Sequence, residues 1–222
     1  MTTSNIGDQQ PVILVLASAS ARRLELLKQL GFDPLCQPVD ADESPQTNET
    51  PDELVVRLAC AKASACLSKY YGKYHGKYHG ISDFENTVGS ASKCIILAAD
   101  TVIDLDGEIL GKPRDKAHAL AMLQQLSGRK HDVHTGVCVQ EAWTGQQHTA
   151  IVTSCVELTN LTQSMAEKYW NTGEPEGKAG SYAIQGCGAQ FVVHLTGSYS
   201  NVVGLPLYET TRLLARTGLT TL

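Results

Sequence analysis

The sequence predicts an α/β protein, because strand-like and helix-like patterns alternate along it. Residues 12–17 and residues 95–98 are short runs of consecutive apolar residues, which is typical of buried strands. An amphipathic helical pattern follows the first run and carries Leu24, Leu27 and Leu30 on one stripe. Strands and helices are therefore expected to mix along the whole chain.

Composition narrows the class of protein further. The 222 residues fit one large domain or two small lobes, and we expect a single domain over residues 1–222. The net charge of −5 argues against nucleic acid polymers as partners. Seven cysteines without a C-x-x-C pair indicate buried free thiols in a reducing compartment. The N-terminal residues lack a basic region and a long apolar run, so we expect a cytoplasmic protein with no membrane partner.

The first strand and helix predict an anion site. Ser20 is the expected N-cap of the helix, which places Arg22 and Arg23 in its first turn. Two cations there oppose the helix dipole, and an anion would offset this cost. A phosphate cradle with two forked arginine donors is one interpretation, and a solvated basic turn is the other. No P-loop motif occurs in the chain.

A second cluster is predicted around the dipeptide Asp106-Gly107, which favours a two-residue hairpin turn. Such a turn sets the register of the two strands. The expected pairs are Leu105 with Glu108, Ile103 with Leu110 and Thr101 with Lys112. Asp100, Thr101 and Lys112 would then converge at the open end of the hairpin, a grouping that suits a cation and a phosphate.

Two other interpretations of this hairpin remain open. Its charged residues are also what a solvated hairpin mouth contains. Asp104-Leu105-Asp106-Gly107 is also similar to the D-x-D-G start of haloacid-dehalogenase-type phosphatases. Glu108 replaces the usual Thr or Val there, and no downstream paired-aspartate motif is present to hold magnesium.

Before the hairpin, the sequence predicts a short strand, a helix and an insertion. Residues 32–39 form a strand pattern broken by two prolines, and residues 40–44 form an acidic turn. Thr50-Pro51 with Glu53 marks a helix start, and Arg57 and Lys62 are expected on its polar flank. Residues 69–93 contain a GKYH repeat whose glycines oppose a helix, so we expect a mobile insertion rather than a metal site at His75 and His79.

After the hairpin, the pattern predicts a helix over residues 115–126 and a second hairpin of residues 131–143 with residues 148–158. We interpret His131, His134 and His148 as ordinary strand residues without acidic partners. A helix capped by Thr162 follows. The glycine-rich loop of residues 177–188, which carries Lys178 and Gln185, permits close approach of its backbone to a ligand. A last helix is expected over residues 208–216.

Four motifs in order resemble the Maf family of nucleoside triphosphate pyrophosphatases, once described as septum-formation inhibitors. They are S-x-S-x-R-R at residues 18–23, A-D-T-V with G-K-P at residues 99–113, K-A-G-x-Y-x-I-Q-G at residues 178–186, and N-V-V-G-L-P-L at residues 201–207. The resemblance implies an elongated, Maf/ITPase-like α/β fold of two lobes, with a mixed sheet, flanking helices and a central cleft. It also implies a homodimer as one form of the protein.

The resemblance also implies roles for single residues. Asp100 corresponds to the general base, and Glu43 and Asp100 to the carboxylates that hold a divalent cation, Mg²⁺ or Mn²⁺. The implied substrate contacts are Ser20, Arg22, Arg23, Lys62, Thr101, Lys112 and Gln185. Ala21 and Ala99 replace the family's usual Pro and Gly, and the insertion at residues 69–93 is foreign to the family.

Two positions imply the substrate. One branch of the family has Thr after the catalytic Asp and Gln in the I-Q-G loop, and hydrolyses dTTP and UTP to the monophosphate and pyrophosphate. The branch that acts on methylated GTP has Gln and Glu there. Thr101 and Gln185 point to the first branch, with Arg22 as the third specificity position. The alternative function is a nucleotide-binding regulator of cell division that hydrolyses its ligand only incidentally.

Overall fold

A computed structural model describes residues 12–75 and 93–220 of the chain, and the side chains of residues 12–69 and 93–220. All seven strands in these ranges belong to one mixed sheet. They are β1 (Val12–Leu16), β2 (Leu35–Cys36), β3 (Lys93–Leu105), β4 (Glu108–Leu110), β5 (Lys130–Glu141), β6 (Gln147–Leu158) and β7 (Val192–Thr196). Their order is β2-β1-β3-β5-β6-β7, with β4 paired to β3 outside this row. Strand β1 runs parallel to β2 and β3, and the remaining pairs are antiparallel.

The helices cover the sheet from both sides. They are α1 (Ala21–Gln29), α2 (Pro51–His75), α3 (Lys116–Leu126), α4 (Gln163–Trp170), α5 (Tyr199–Val203) and α6 (Leu207–Arg216). Leu26 and Leu27 of α1 pack with Leu213 and Leu214 of α6 on one side, while Ala59 and other residues of α2 pack on the other. The predicted mixed α/β fold with flanking helices is therefore confirmed.

The helix starts follow from the caps that the sequence predicts. The side chain of Ser20 accepts a hydrogen bond from the Arg23 N–H, and Thr162 does the same for Met165. The Thr50 N–H donates to Glu53 at 2.9 Å, and the Glu53 N–H donates to the Thr50 hydroxyl at 3.3 Å. This reciprocal pair is the capping box expected before α2.

The central hairpin has the predicted register, but its ladder is shorter. Ile103 pairs with Leu110 and Leu105 with Glu108, as expected from the Asp106-Gly107 turn. The pairing of Thr101 with Lys112 is wrong, because β4 ends at Leu110. On the other side of β3, Thr101 lies opposite Thr135 of β5.

Helix α2 lies close against β5 because position 136 is glycine. A Cβ on Gly136 would lie 2.4 Å from the carbonyl oxygen of Val55, which is closer than real Cβ atoms come. Gly136 also pairs directly with Asp100 on the neighbouring strand. The missing side chain therefore lets α2 lie over the part of the sheet that carries Asp100.

Two further local predictions were wrong. The second strand is only two residues long, since Pro34 and Pro38 flank it closely. Helix α2 continues through Gly72 to His75, although glycines were expected to oppose a helix there. A single glycine costs only about 1 kcal/mol in a helix interior, which a helix of 25 residues tolerates. His79 and the rest of the predicted insertion up to residue 92 lie outside the described residues.

The cysteines and the helices bear on two further predictions. All seven cysteines are free, but only Cys66, Cys94 and Cys138 are buried, while Cys36 and Cys187 are exposed. The prediction of buried thiols therefore holds for only part of the set. Within residues 12–75 and 93–220, no helix has both the length and the apolar character needed to cross a membrane.

Candidate active site

A cleft of about 960 Å³ collects the motifs that are far apart in the sequence. Its walls come from the loop between β1 and α1, the acidic turn, α2, β3, the 177–188 loop and the start of the loop after α5. All the residues predicted to bind substrate or metal line it. They are Ser20, Arg22, Arg23, Glu43, Lys62, Asp100, Thr101, Lys112 and Gln185. The predicted central cleft is therefore present.

Lys62 joins the two carboxylates that were predicted to hold a cation. Its ammonium donates to Glu43 at 2.6 Å and to Asp100 at 2.6 Å, so the two acceptor oxygens are at most twice that distance apart. Lys62 and Asp100 are buried. Lys112 donates to the second oxygen of Glu43 at 2.8 Å. Lys112 therefore reaches the predicted cluster through Glu43 rather than through Thr101.

Glu43 is held in an ionised form at the rim of the cleft. Partial burial acts to raise the pKa of Glu43, but the hydrogen bonds from Lys112 and Lys62 outweigh it and lower the pKa to about 2. Arg57 anchors the acidic turn by hydrogen bonds. It donates to the Ser44 carbonyl at 3.0 Å and to Glu49 at 2.8 Å. Arg57 is thus more than the polar flank that the sequence suggested, because it anchors the loop that carries Glu43.

Asp100 and Thr101 point to opposite faces of β3, as the strand alternation predicts. Asp100 faces α2 and Lys62, whereas the Thr101 hydroxyl accepts a hydrogen bond from Arg23 at 3.1 Å on the other face. Thr101 also contacts the hydroxyl of Thr135 at 2.9 Å. Thr101 therefore ties Arg23 to the sheet.

Arg23 is held in place by the protein itself. Besides Thr101, it donates to the Gly204 carbonyl at 2.8 Å and to the Ser18 hydroxyl at 3.3 Å. Burial lowers the pKa of Arg23, while the negative charge of Asp100 acts against this. These three bonds use three of the five guanidinium N–H donors, which leaves two for a ligand.

Behind this arginine lies a buried polar network that the sequence did not reveal. The Thr135 hydroxyl donates to the carbonyl of Asn201 at 3.2 Å. The Asn201 amide in turn donates to the Val133 carbonyl at 3.0 Å and to the Ser154 hydroxyl at 2.9 Å. Asn201 thus links the N-V-V-G-L-P-L motif to β5 and β6.

Arg22 also lines the cleft, but it makes fewer hydrogen bonds than Arg23. Its Nε atom is buried and has no hydrogen-bond partner among the described residues. Burial lowers the pKa of Arg22, and the negative charges of Glu174 and Glu25 act against this. A buried donor without an acceptor is costly, which indicates that an anion completes this site.

Lys178 is a further residue of the cleft, and the sequence assigned it no role. It lines the cleft, and its ammonium donates to the Glu176 carbonyl at 2.9 Å. Burial and then the positive charge of Arg22 lower the pKa of Lys178. A lysine whose pKa is lowered by a neighbouring arginine indicates a nearby anion-binding position. The available signal was its place at the start of the K-A-G-x-Y-x-I-Q-G motif.

Gln185 lies partly buried in the same cleft. Its side-chain amide makes no hydrogen bond to the described residues, so its donors and its acceptor are open to a ligand.

Two of the three strand histidines have acidic neighbours, contrary to expectation. His134 Nδ1 lies 2.7 Å from an Asp52 carboxylate oxygen, and His148 Nε2 lies 3.8 Å from one of Glu141. Asp52 is distant in sequence, and it approaches His134 because α2 packs over β5 at Gly136. His131 bonds to the Tyr182 hydroxyl at 2.7 Å in the core. None of the three lines the cleft.

The carboxylates fit a hard divalent cation of the Mg²⁺ type. The described residues contain no group of three His, Cys, Asp or Glu side chains that would form an all-protein metal site. Glu43 and Asp100 instead offer two carboxylates at an open cleft. Mg²⁺ is commonly held in this way, by one or two carboxylates together with waters and substrate phosphates.

Comparison with known proteins gives consistent matches. The sequence pattern of the family described as Maf-like protein matches residues 13–217. A dTTP/UTP pyrophosphatase of Acinetobacter baylyi (strain ATCC 33305 / BD413 / ADP1) is 45% identical over 201 residues, which cover 90% of this chain and 97% of the relative. A dTTP/UTP pyrophosphatase of Pseudoalteromonas atlantica (strain T6c / ATCC BAA-1087) is 44% identical over 207 residues, which cover 93% of this chain and 98% of the relative.

A solved structure gives only a weak likeness. It is a nucleoside-triphosphatase, dITP/XTP pyrophosphatase, from Mycobacterium abscessus ATCC 19977 / DSM 44196, with a TM-score of 0.35 and 13% identity. The match covers 92% of this chain and 96% of the chain in that structure. The family match and the close relatives lead to one conclusion: the chain belongs to the Maf-like protein family.

Proposed function

We propose that this protein hydrolyses dTTP and UTP to the nucleoside monophosphate and pyrophosphate. The observation that carries the proposal is the position of Asp100, a buried carboxylate in the same cleft as Arg22, Lys62, Lys112 and Lys178. A polyphosphate would bind these cations. The names of the relatives from A. baylyi and P. atlantica support the same substrates.

Asp100 acts as the general base in this proposal. One of its carboxylate oxygens accepts the bond from Lys62, and the other accepts no hydrogen bond from the described residues. The free oxygen takes a proton from water while the water oxygen attacks the α-phosphorus. The bond between the α-phosphorus and the bridging oxygen breaks, and pyrophosphate leaves. Lys62 keeps Asp100 oriented by its bond to the first oxygen.

Glu43 and Asp100 are the proposed residues for a divalent cation, Mg²⁺ or Mn²⁺. Such an ion, when bound, neutralises phosphate charge and links the phosphate oxygens to the protein. Lys62 already bridges these two carboxylates, so it offsets their repulsion before substrate arrives.

The cations of the cleft are proposed to bind the triphosphate. Arg22 offers its unpartnered Nε, and Arg23 offers the donors that Thr101, Gly204 and Ser18 do not use. Lys112 and Lys178 add charge near the mouth. Cations at these positions stabilise the charge that develops on the pyrophosphate leaving group. Ser20 contributes indirectly, since its hydroxyl caps α1 and so sets the first turn that carries both arginines.

Gln185 is the proposed base-recognition residue. Its amide supplies both a donor and an acceptor, which match the N3–H and the neighbouring carbonyl of thymine or uracil. Thr101 contributes to substrate binding through its bond to Arg23.

A substrate panel tests the proposal. The full chain is incubated with Mg²⁺ and each common ribo- and deoxyribonucleoside triphosphate, and pyrophosphate and monophosphate are measured. We expect the fastest release from dTTP and UTP, with one pyrophosphate per monophosphate. Orthophosphate and diphosphate as products, or a preference for purines, would contradict the proposal. Binding of nucleotide without turnover would favour the regulator instead.

A further inference from the structure

Two residues outside the 177–188 loop hold the backbone on both sides of Gln185. The first is Tyr169, near the end of α4. Its hydroxyl accepts a hydrogen bond from the Ala183 N–H at 3.0 Å and donates one to Glu174 at 2.6 Å. The Tyr169 ring is buried and makes an edge contact with Phe191, with ring centroids 5.1 Å apart. The Tyr169 hydroxyl is therefore fixed in position, and it holds the backbone at Ala183, just before Gln185 in the sequence.

The second residue is Glu174, in the loop after α4. Its carboxylate accepts hydrogen bonds from the Cys187 N–H at 2.7 Å and from the Gly188 N–H at 2.8 Å. Both carboxylate oxygens of Glu174 therefore accept hydrogen bonds from the backbone that follows Gln185, and one of them also accepts a hydrogen bond from Tyr169. We call Tyr169 and Glu174 the loop clamp.

The close approach of the clamp depends on the glycines of the loop. A Cβ on Gly186 would lie 2.4 Å from a Glu174 oxygen, and one on Gly188 would lie 2.5 Å from the Tyr169 hydroxyl. Side chains at these two positions would push the clamp away. The glycine-rich sequence around Gln185 therefore matches the two groups that hold it.

Gln185 itself has no such anchor. Its side chain makes no hydrogen bond within the described part of the chain, and its residue lies in none of the seven strands. Its direction into the cleft is therefore set by its backbone, which the clamp fixes at Ala183, Cys187 and Gly188. Neither clamp residue is among the described residues that line the cleft.

We propose that Tyr169 and Glu174 are positioning residues that set base selectivity by orienting Gln185, without touching the nucleotide. This inference rests on the function proposed above. Pre-orienting a polar side chain lowers the cost of ordering it when the base binds, so the effect is expected mainly in KM for the correct base. The general base lies elsewhere in the cleft. Glu174 also acts electrostatically on Arg22, but phosphate binding is common to all the nucleotides, so this effect cancels when two nucleotides are compared.

The test compares dTTP with dGTP in a double-mutant cycle of Tyr169→Phe and Gln185→Ala. The quantity measured is the ratio of kcat/KM for dTTP to kcat/KM for dGTP, from pyrophosphate release by the full chain with Mg²⁺. With Gln185 present, Tyr169→Phe removes one hydroxyl and should lower this ratio about fivefold, mainly through KM for dTTP. In the Gln185→Ala background, the same change should alter the ratio less than about twofold.

Glu174→Gln provides a second route to the same answer. It keeps the size of the side chain but removes one of the two acceptor oxygens. We therefore expect the dTTP-to-dGTP ratio of kcat/KM to fall, and the fall to depend on Gln185 in the same way. Tyr208→Phe is the matched control, since Tyr208 is an exposed tyrosine on α6 away from the cleft. The dTTP-to-dGTP ratio of kcat/KM for Tyr208→Phe should equal that of the wild type. Thermal unfolding of each variant identifies those that are folded.

The outcomes separate this inference from the proposed function. Equal losses of kcat/KM for both nucleotides, or an undiminished effect of Tyr169→Phe in the Gln185→Ala background, would mean that the clamp only supports the fold, and would overturn the inference. Failure of the proposed function would appear earlier, as a wild-type protein that does not prefer dTTP.

Discussion

The Lys62 ammonium lies 2.6 Å from a carboxylate oxygen of Asp100, and both residues are buried. The same ammonium bonds to Glu43. One lysine on α2 therefore compensates two carboxylates, one of which is the proposed general base. Removing it would leave the buried carboxylate of Asp100 without its cationic partner.

We predict that Lys62→Gln destabilises the protein, and that Mg²⁺ recovers part of the loss. Removing one partner of a buried ion pair leaves an uncompensated charge, which here should lower the free energy of unfolding by about 3 kcal/mol. Urea unfolding with and without Mg²⁺ measures both effects. Lys69→Gln is the control, because Lys69 is an exposed lysine on the same helix. A Lys62→Gln protein as stable as the wild type, with no response to Mg²⁺, would argue against the two-carboxylate cation site.

Arg57 is predicted to affect metal use without touching the metal. Its bonds to Ser44 and Glu49 hold the loop that carries Glu43. Arg57→Ala should raise the Mg²⁺ concentration for half-maximal activity roughly tenfold, because supporting contacts orient metal ligands. A magnesium titration of the initial rate measures this. Lys28→Ala removes an exposed ion pair to Asp33 and should leave the titration unchanged. An unchanged titration for Arg57→Ala would show that the loop needs no such anchor.

Gln185→Glu should change selectivity more than rate. A carboxylate has acceptors only, so it opposes a carbonyl of thymine or uracil and places a charge in the pocket. For dTTP and UTP, transition-state binding should weaken by about 1 to 3 kcal/mol. For dGTP it should weaken less, because guanine offers donors at N1 and N2 to the carboxylate. The ratio of dTTP to dGTP turnover should fall. If it does not, the base is recognised by another residue.

His131 is predicted to govern part of the acid sensitivity of the fold. Burial lowers the pKa of His131 from 6.5 to about 4, although Asp132 acts against this. The unfolded chain therefore binds the proton first as the pH falls. The stability contributed by neutral His131 is complete above pH 6.5 and is lost as the pH falls towards 4, with a maximum effect on the order of 3 kcal/mol.

His131→Gln should flatten this dependence. Gln keeps a polar partner for the Tyr182 hydroxyl but does not titrate. Urea unfolding at a series of pH values from 7 to 4 compares the variant with the wild type. His194→Gln is the control, because His194 is exposed on β7 and should follow the wild-type profile. Identical profiles for His131→Gln and the wild type would contradict the prediction.

Local signals in the sequence predicted most of the fold. Caps such as Ser20 and Thr50 and the Asp106-Gly107 turn act over a few residues, so their consequences appear in the sequence itself. The continuation of α2 through Gly72 was not predicted, because the low helix propensity of a glycine is visible locally whereas the support from the rest of a long helix is not.

Contacts between distant residues explain what the sequence did not show. Lys62 and Asp100 are 38 positions apart, and Arg57, Lys178 and the Tyr169–Glu174 clamp gain their roles only when separate elements meet. The link between His134 and Asp52 has the same origin. The cytoplasmic location, the homodimer and the single domain over residues 1–222 stay predictions.

Asp100→Asn tests whether Asp100 is the general base for pyrophosphate release. The measurement combines pyrophosphate release from dTTP with calorimetric binding of a non-hydrolysable dTTP analogue. Asparagine keeps the size of the side chain but cannot take the proton, so we predict a fall in kcat of roughly a hundredfold or more with binding retained. A folded Asp100→Asn protein with near-normal kcat would contradict the claim.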